Sequence, residues 1–174
     1  MKSLTAKRKF IFLLTVIFLL VLTAISEGKT SKAQNIADLF CRVNPSLKAN
    51  KAKDYAVVVV RVSEKYKLDP YAIAALIVHE STVNPKAISK GGDYGLMQIR
   101  WKVHEKAIKK RFPKVKKAKD ILDVRTNILY GCEIFSDCMK KAKNDLRGGI
   151  LRYSAGNEKL VKKVFATMNE LKKK

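Results

Sequence analysis

Along most of this chain apolar residues recur every three or four positions, the period of a helix with one buried face, and almost nowhere do they alternate as in a half-buried strand. Ser31 to Phe40 is expected to form a short helix, which Asn44-Pro45-Ser46 breaks. From Lys51 to Lys67, Ala56, Val59, Val60 and Tyr66 fall on one helical face with the small Ser63 between them. The Val57–Val60 run alone would also suit a strand, and the length of the segment decides for a helix. Asp69 offers a capping carboxylate and Pro70 a fixed φ suited to a first helical turn. Ile73, Ala74, Leu76, Ile77 and Glu80 then lie on overlapping faces of a short, largely apolar helix, which belongs in the interior, with Asn84-Pro85 as its expected stop. The stretch onward to Gly95 is too turn-rich for regular structure. Lys102–Phe112 is helical in pattern and closed by Pro113, Ile121–Lys143 carries a longer amphipathic period, and helices over about Asp145–Ser154 and Glu158–Lys173 complete the chain. With at most a small hairpin near Gly91 to Ile99, the fold class is mostly α, in one domain.

The N-terminus changes the picture. Lys2, Lys7, Arg8 and Lys9 precede an apolar run from Phe10 to Leu22, relieved only by Thr15, with the small residues Ala24 and Ser26 before Glu27. That is the pattern of an export segment, either a cleavable signal peptide or an uncleaved membrane anchor; the run falls short of the roughly 20 residues that span a bilayer comfortably. No cysteine follows it closely enough for a lipoprotein, because Cys41 lies well downstream. The expected division is therefore 1–26 as signal or anchor, 27–50 as an N-terminal extension, and 51–174 as the folded domain, placed in the cell envelope.

Charge points the same way. The 37 Lys and Arg against 15 Asp and Glu give a formal net charge of +22, which attracts polyanions such as an anionic wall or membrane surface. Lys is scattered through every segment, as on a solvated surface, and an exported chain with a single Trp, Trp101, does not suit a nucleic-acid partner. Cys41, Cys132 and Cys138 would meet an oxidising compartment, where a bridge is expected only from Cys41 to Cys132 or Cys138. Six residues along one helix hold the latter two about 9 Å apart, beyond the reach of a disulfide. Zinc is not expected: there is no Cys-x-x-Cys, and His79 and His104 are the only histidines.

The residue that carries chemistry is Glu80. Ending an apolar helix, its carboxyl group sits at the edge of a core, where desolvation keeps it protonated near neutral pH and fit to act as a general acid. His79-Glu80 also opens a zinc-protease pattern, but Val83 stands where the second His is required.

The residues downstream of Glu80 are more specific. Glu80-Ser81-Thr82-Val83-Asn84-Pro85, then Ala87 and Ser89, then Gly92-Asp93-Tyr94-Gly95-Leu96-Met97-Gln98-Ile99, resembles the central motif of the soluble lytic transglycosylase family. Asn127-Ile128 with Gly131 resembles its third motif, and Tyr153-Ser154-Ala155-Gly156 its fourth, so that the resemblance runs from about Val58 to Gly156. It implies a lysozyme-like α-domain with a cleft for alternating N-acetylglucosamine and N-acetylmuramic acid, the glycan strands of peptidoglycan. Glu80 resembles the single catalytic acid/base and Ser81 the residue that orients it. Gly95, Leu96, Met97 and Gln98 resemble the loop that lines the cleft floor, with Met97 and Gln98 close to the bound sugar, and Tyr153 resembles the aromatic that closes the site opposite the Glu.

The resemblance also implies the reaction. Glu80 protonates the glycosidic oxygen, the muramic N-acetyl group supports the cationic centre, and Glu80 then takes the proton of the 6-hydroxyl as it closes to a 1,6-anhydro product, with no metal or cofactor. Three positions depart from the family: Ser154 in place of Asn, Ile134 in place of Tyr, and Asp93 where a small residue is common. Asp93 also resembles the second carboxylate of animal-type lysozymes, which leaves a hydrolytic muramidase using Glu80 and Asp93 as the alternative. An inactive wall-binding module is the reading outside enzymes. Small size favours service to a secretion or conjugation machine over general wall remodelling.

Overall fold

The computed structural model describes residues 13–18 and 31–173. Most of the predicted export segment, including Ala24 and Ser26, lies outside the described residues. The chain divides into two compact units, Met1–Lys32 and Ala33–Lys174. In the first, residues 13–18 are helical, with Leu13, Leu14, Ile17 and Phe18 exposed. Among the described residues no helix is long and apolar enough to cross a membrane.

The second unit is built almost entirely of helices: α1 (31–43, of which 33–43 belong to this unit), α2 (Ala49–Lys65), α3 (Pro70–Ser81), α4 (Trp101–Arg111), α5 (Val124–Lys141), α6 (Leu146–Tyr153) and α7 (Glu158–Lys172). A two-stranded antiparallel ribbon, β1 (Asp93–Tyr94) and β2 (Ile99–Arg100), forms where the sequence allows a hairpin and runs one residue past Ile99, and its register sets Asp93 opposite Arg100 and Tyr94 opposite Ile99.

Helix α3 organises this unit because every residue from Ala72 to Val78 is buried, so the helix has no polar face and must be surrounded. Its neighbours are α2 and α7, while α5 packs on α2 and α6. Asp69 caps α3 as expected, its carboxylate accepting from the Tyr71 N–H at 2.8 Å ahead of Pro70. Ile36, Leu39 and Phe40 of α1 join the same core, and Asn44 Nδ2 donates to the Val83 carbonyl at 3.2 Å.

Two boundaries differ from those the sequence predicts. Helix α3 ends at Ser81 rather than at Asn84-Pro85, because Thr82 and Val83 both turn into the left-handed region, at φ 53° and 58°. The predicted Ile121–Lys143 helix is divided. Ala118–Leu122 is a 3-10 turn, and α5 starts only after Asp123, whose carboxylate accepts from the Thr126 N–H at 2.8 Å. Cys41, Cys132 and Cys138 are free thiols, so neither bridge open to Cys41 is formed. Cys132 and Cys138 lie on the one continuous helix α5, which bars a bridge between them, and Cys132 is fully buried in the core, where desolvation pushes its thiol pKa far up.

Candidate active site

Helix α3 delivers Glu80 to the floor of a cleft of about 350 Å³, whose lining also includes His79, Asp93, Gln98, Arg100, His104 and Tyr153. The apolar turns before it hold the Glu80 carboxyl out of bulk solvent, and its pKa rises from 4.5 to about 7, through burial first and the negative charge of Asp93 second. Among the described residues no cation pairs with Glu80.

Asp93 shares the cleft under different terms. Arg100 donates Nε to its Oδ1 at 2.7 Å and Nη2 to its Oδ2 at 3.1 Å, across the two strands, and the Ser89 hydroxyl adds a bond to Oδ2 at 2.8 Å. These partners, Arg100 foremost, hold the Asp93 carboxyl below its usual range. Asp93 is thus a fully engaged carboxylate beside a carboxyl group whose pKa is raised to about 7.

The loop joining the strands is held from below. Asn127 of α5 is completely buried, and its side chain satisfies three backbone groups: Oδ1 accepts from the Met97 N–H at 2.8 Å, while Nδ2 donates to the carbonyls of Tyr94 at 2.9 Å and Ile121 at 3.0 Å. Gly95, at φ 76°, lies so close to this amide that a Cβ there would run into it. Gly131, one turn beyond Asn127, leaves room for the Met97 side chain. From across the cleft, Tyr153 Oη donates to the Met97 carbonyl at 2.7 Å, and its ring packs edge-to-face on Phe135 at 5.6 Å. Burial and the nearby Glu80 raise the Tyr153 pKa, so it stays a neutral donor.

Of the residues singled out in the sequence, Glu80, Asp93, Gln98 and Tyr153 therefore meet around one cleft. Leu96 and Met97 are fully buried beneath it, where Met97 acts through its backbone amide and carbonyl. Gln98 holds a left-handed backbone, φ 45°, and its amide donates to the Gly95 carbonyl at 2.9 Å. Ser81 is buried, with its hydroxyl donating to the Ile77 carbonyl at 3.0 Å within its own helix. Ile134 and Ser154 also line the cleft, and the Ser154 hydroxyl is bonded to the Ile150 carbonyl at 2.8 Å.

Arg100 and both histidines join the cleft without having been singled out for it. His79 Nε2 meets Thr167 Oγ1 at 2.9 Å, which ties α3 to α7 beside the acid; His104 packs on Tyr130 at 5.7 Å. Burial lowers both imidazole pKa values. In a chain this rich in Arg and Lys, Arg100 has no distinguishing signal except its place two residues after Gln98. Among the described residues no group of acidic, His and Cys side chains is arranged to hold a metal.

Residues 58–174 match the family model of the transglycosylase SLT domain. Over 143 residues the chain is 27% identical to the membrane-bound lytic murein transglycosylase E of Buchnera aphidicola subsp. Acyrthosiphon pisum (strain APS), an alignment covering 79% of this chain and 62% of that protein. The chain thus spans less than two thirds of that relative's length.

Proposed function

This chain belongs to the transglycosylase SLT family, and from that premise we propose that it is a peptidoglycan lytic transglycosylase with a lysozyme-like domain, using Glu80 as its one acid/base. The observation that carries the reading is the contrast inside the cleft: Glu80 is desolvated, with a pKa of about 7, while Asp93 is tied to Arg100 and Ser89. A group poised near the working pH can give a proton and take one back, which both halves of the reaction require.

In the first half, the Glu80 proton goes to the oxygen that links N-acetylmuramic acid to N-acetylglucosamine. The bond from that oxygen to the muramic anomeric carbon breaks, and the N-acetyl oxygen shares its lone pair with the cationic carbon. In the second half, the muramic 6-hydroxyl attacks that carbon and surrenders its proton to the Glu80 carboxylate. The acid is regenerated, no water enters, and the strand ends in a 1,6-anhydro ring. Loop residues Gly95 to Gln98, pinned by Asn127 and Tyr153, would present backbone and amide groups to the sugars.

The relative is named as membrane-bound, and this agrees with an N-terminal apolar segment that exports the domain to the envelope, as a cleaved signal or a retained anchor. The reaction type is tested by mass spectrometry of fragments released from purified peptidoglycan. Anhydro-muramic ends are expected. Reducing ends, each heavier by one water, would transfer the second role to Asp93 and make the enzyme a hydrolase, and absence of any fragment would leave a wall-binding module.

A further inference from the structure

Lysine looks evenly spread in the sequence, but the structure gathers part of it beside the cleft. Half of the residues from Arg100 to Lys119 are Lys or Arg, and Glu105 is the only acid among them. On α4 the helical period sets Lys102, Lys106, Lys109 and Lys110 along one outward stripe, all exposed, while Ile108 is the one buried residue on the opposite side. Lys109 is paired with Glu105 at 2.6 Å; Lys102, Lys106 and Lys110 have no ion-pair partner among the described residues. Helices α2 and α7 are less one-sided, with Asp54 and Glu64 among the bases of α2 and Glu158 and Glu170 among those of α7.

The same helix turns Val103 and His104 into the cleft, so the basic stripe runs along the cleft's rim. Inside the cleft the charge balance is different. Arg100 is the only Lys or Arg among the lining residues, and both its Nε and one Nη are held by Asp93. The floor therefore suits neutral sugar rings, while the unneutralised positive charge stands one helix-width outside.

We propose that the Lys102–Lys106–Lys110 face of α4 is a second substrate-binding surface, which takes the carboxylates of the stem peptides projecting from a glycan strand seated in the cleft. This rests on peptidoglycan being the substrate. The partner is set by charge and place: peptidoglycan carries its anionic groups on peptides hung from the sugars, at the distance of a rim rather than of the floor. Each exposed ion pair is weak and salt-screened, but several acting on one strand keep the enzyme on polymer between cleavages. An anionic membrane is the competing partner. It is disfavoured because α4 exposes only Val103, at 68%, and the small Ala107 as apolar side chains, and Trp101 lies half-buried under Lys109 at 5.8 Å.

The test uses the full chain with Glu80→Gln, so that binding is read without cleavage, alone or with Lys102→Gln, Lys106→Gln and Lys110→Gln together. Co-sedimentation is measured against purified peptidoglycan, against peptidoglycan with its carboxylates amidated, and against phosphatidylcholine vesicles containing about a third phosphatidylglycerol. The expected result is about tenfold weaker binding of the triple variant to native wall at low salt, a flatter salt dependence, and no difference on amidated wall. Equal binding of both proteins to native wall would overturn the proposal, as would a loss confined to vesicles, which would give the face to a membrane. Glutamine is a good helix former, so circular dichroism of the two proteins should coincide. Because no cleavage is needed, a hydrolytic product or an inactive wild type would refute the reaction type without deciding this question.

Discussion

The two walls of the cleft are built on opposite terms. On the α3, α5 and α6 side every group near Glu80 is placed by something buried: Ala72–Val78 beneath the acid, Asn127 under the loop, and Phe135 behind Tyr153. On the α4 side Ile108 is the one buried residue of a helix whose outer surface is lysine. The first wall holds its groups through buried packing and buried hydrogen bonds, the kind of placement that proton transfer would need. The second supplies a charge field, which needs only composition and approximate position. A cleft can thus be exacting along one side and permissive along the other.

The largest effect should come from the exacting side. Glu80→Gln is expected to lower wall-lysis rates by at least about a thousandfold, since it removes the proton from the scissile oxygen while keeping the shape. The same variant should also be more stable at alkaline pH. The Glu80 pKa is raised on folding, from 4.5 to about 7, so the folded state holds an extra proton in that window. Stability accordingly falls as pH rises through it and stays lower above it, by at most about 3 kcal/mol. Melting curves should show Glu80→Gln above wild type at pH 8 and level with it at pH 4; equal curves at both would mean the acid is not desolvated.

Asn127→Leu should cost about 3 kcal/mol in urea unfolding, because it leaves the Met97 N–H and two carbonyls without partners in the interior. Activity should fall with it even where the variant is fully folded, since the loop loses its anchor. Full activity in the folded variant would show that loop placement does not matter.

Asp93→Asn separates the readings of the second carboxylate. With Glu80 acting alone, turnover should change only a few-fold. The alkaline limb of the pH-rate profile should move to lower pH, because losing the Asp93 charge removes a cause of the raised Glu80 pKa and leaves Arg100 unneutralised nearby. Loss of nearly all activity would instead make Asp93 a chemical participant. The smallest effect should come from the permissive wall: Val103→Thr, at a position 68% exposed, should alter stability by less than about 0.5 kcal/mol in the same urea assay. A larger change would contradict the division between the walls.

The sequence made the exacting wall legible for a physical reason. A helix apolar on every side has one place to go, and a Glu at its end is carried to the edge of the core with it; the Asp69-Pro70 start and the ordered motifs around Gly95 and Asn127 added to that. Less legible were features settled by contacts between distant segments. Asn127 appears in the sequence as a motif member, yet that its amide closes three backbone bonds depends on the loop being folded over α5. Asp93 could be read as a second carboxylate, and the cross-strand Arg100 that engages it appears only once the ribbon register is known. The lysines of α4 looked scattered because their alignment depends on where the helix begins and which face Ile108 buries. The end of α3 was misjudged because two β-branched residues in left-handed conformation run against local preference, whereas Pro85 is an obvious stop.

Those two residues leave α3 under tension. A glycine at Thr82 or Val83 would rest in the left-handed region without strain, whereas a β-branched side chain in that region costs about 1–2 kcal/mol. Burial of the Val83 side chain and the Asn44 bond to its carbonyl hold the bend against that cost. The end of α3 is therefore a latched spring, with Glu80 mounted two residues from the catch, and Asn44, the residue that follows α1, holds the latch shut.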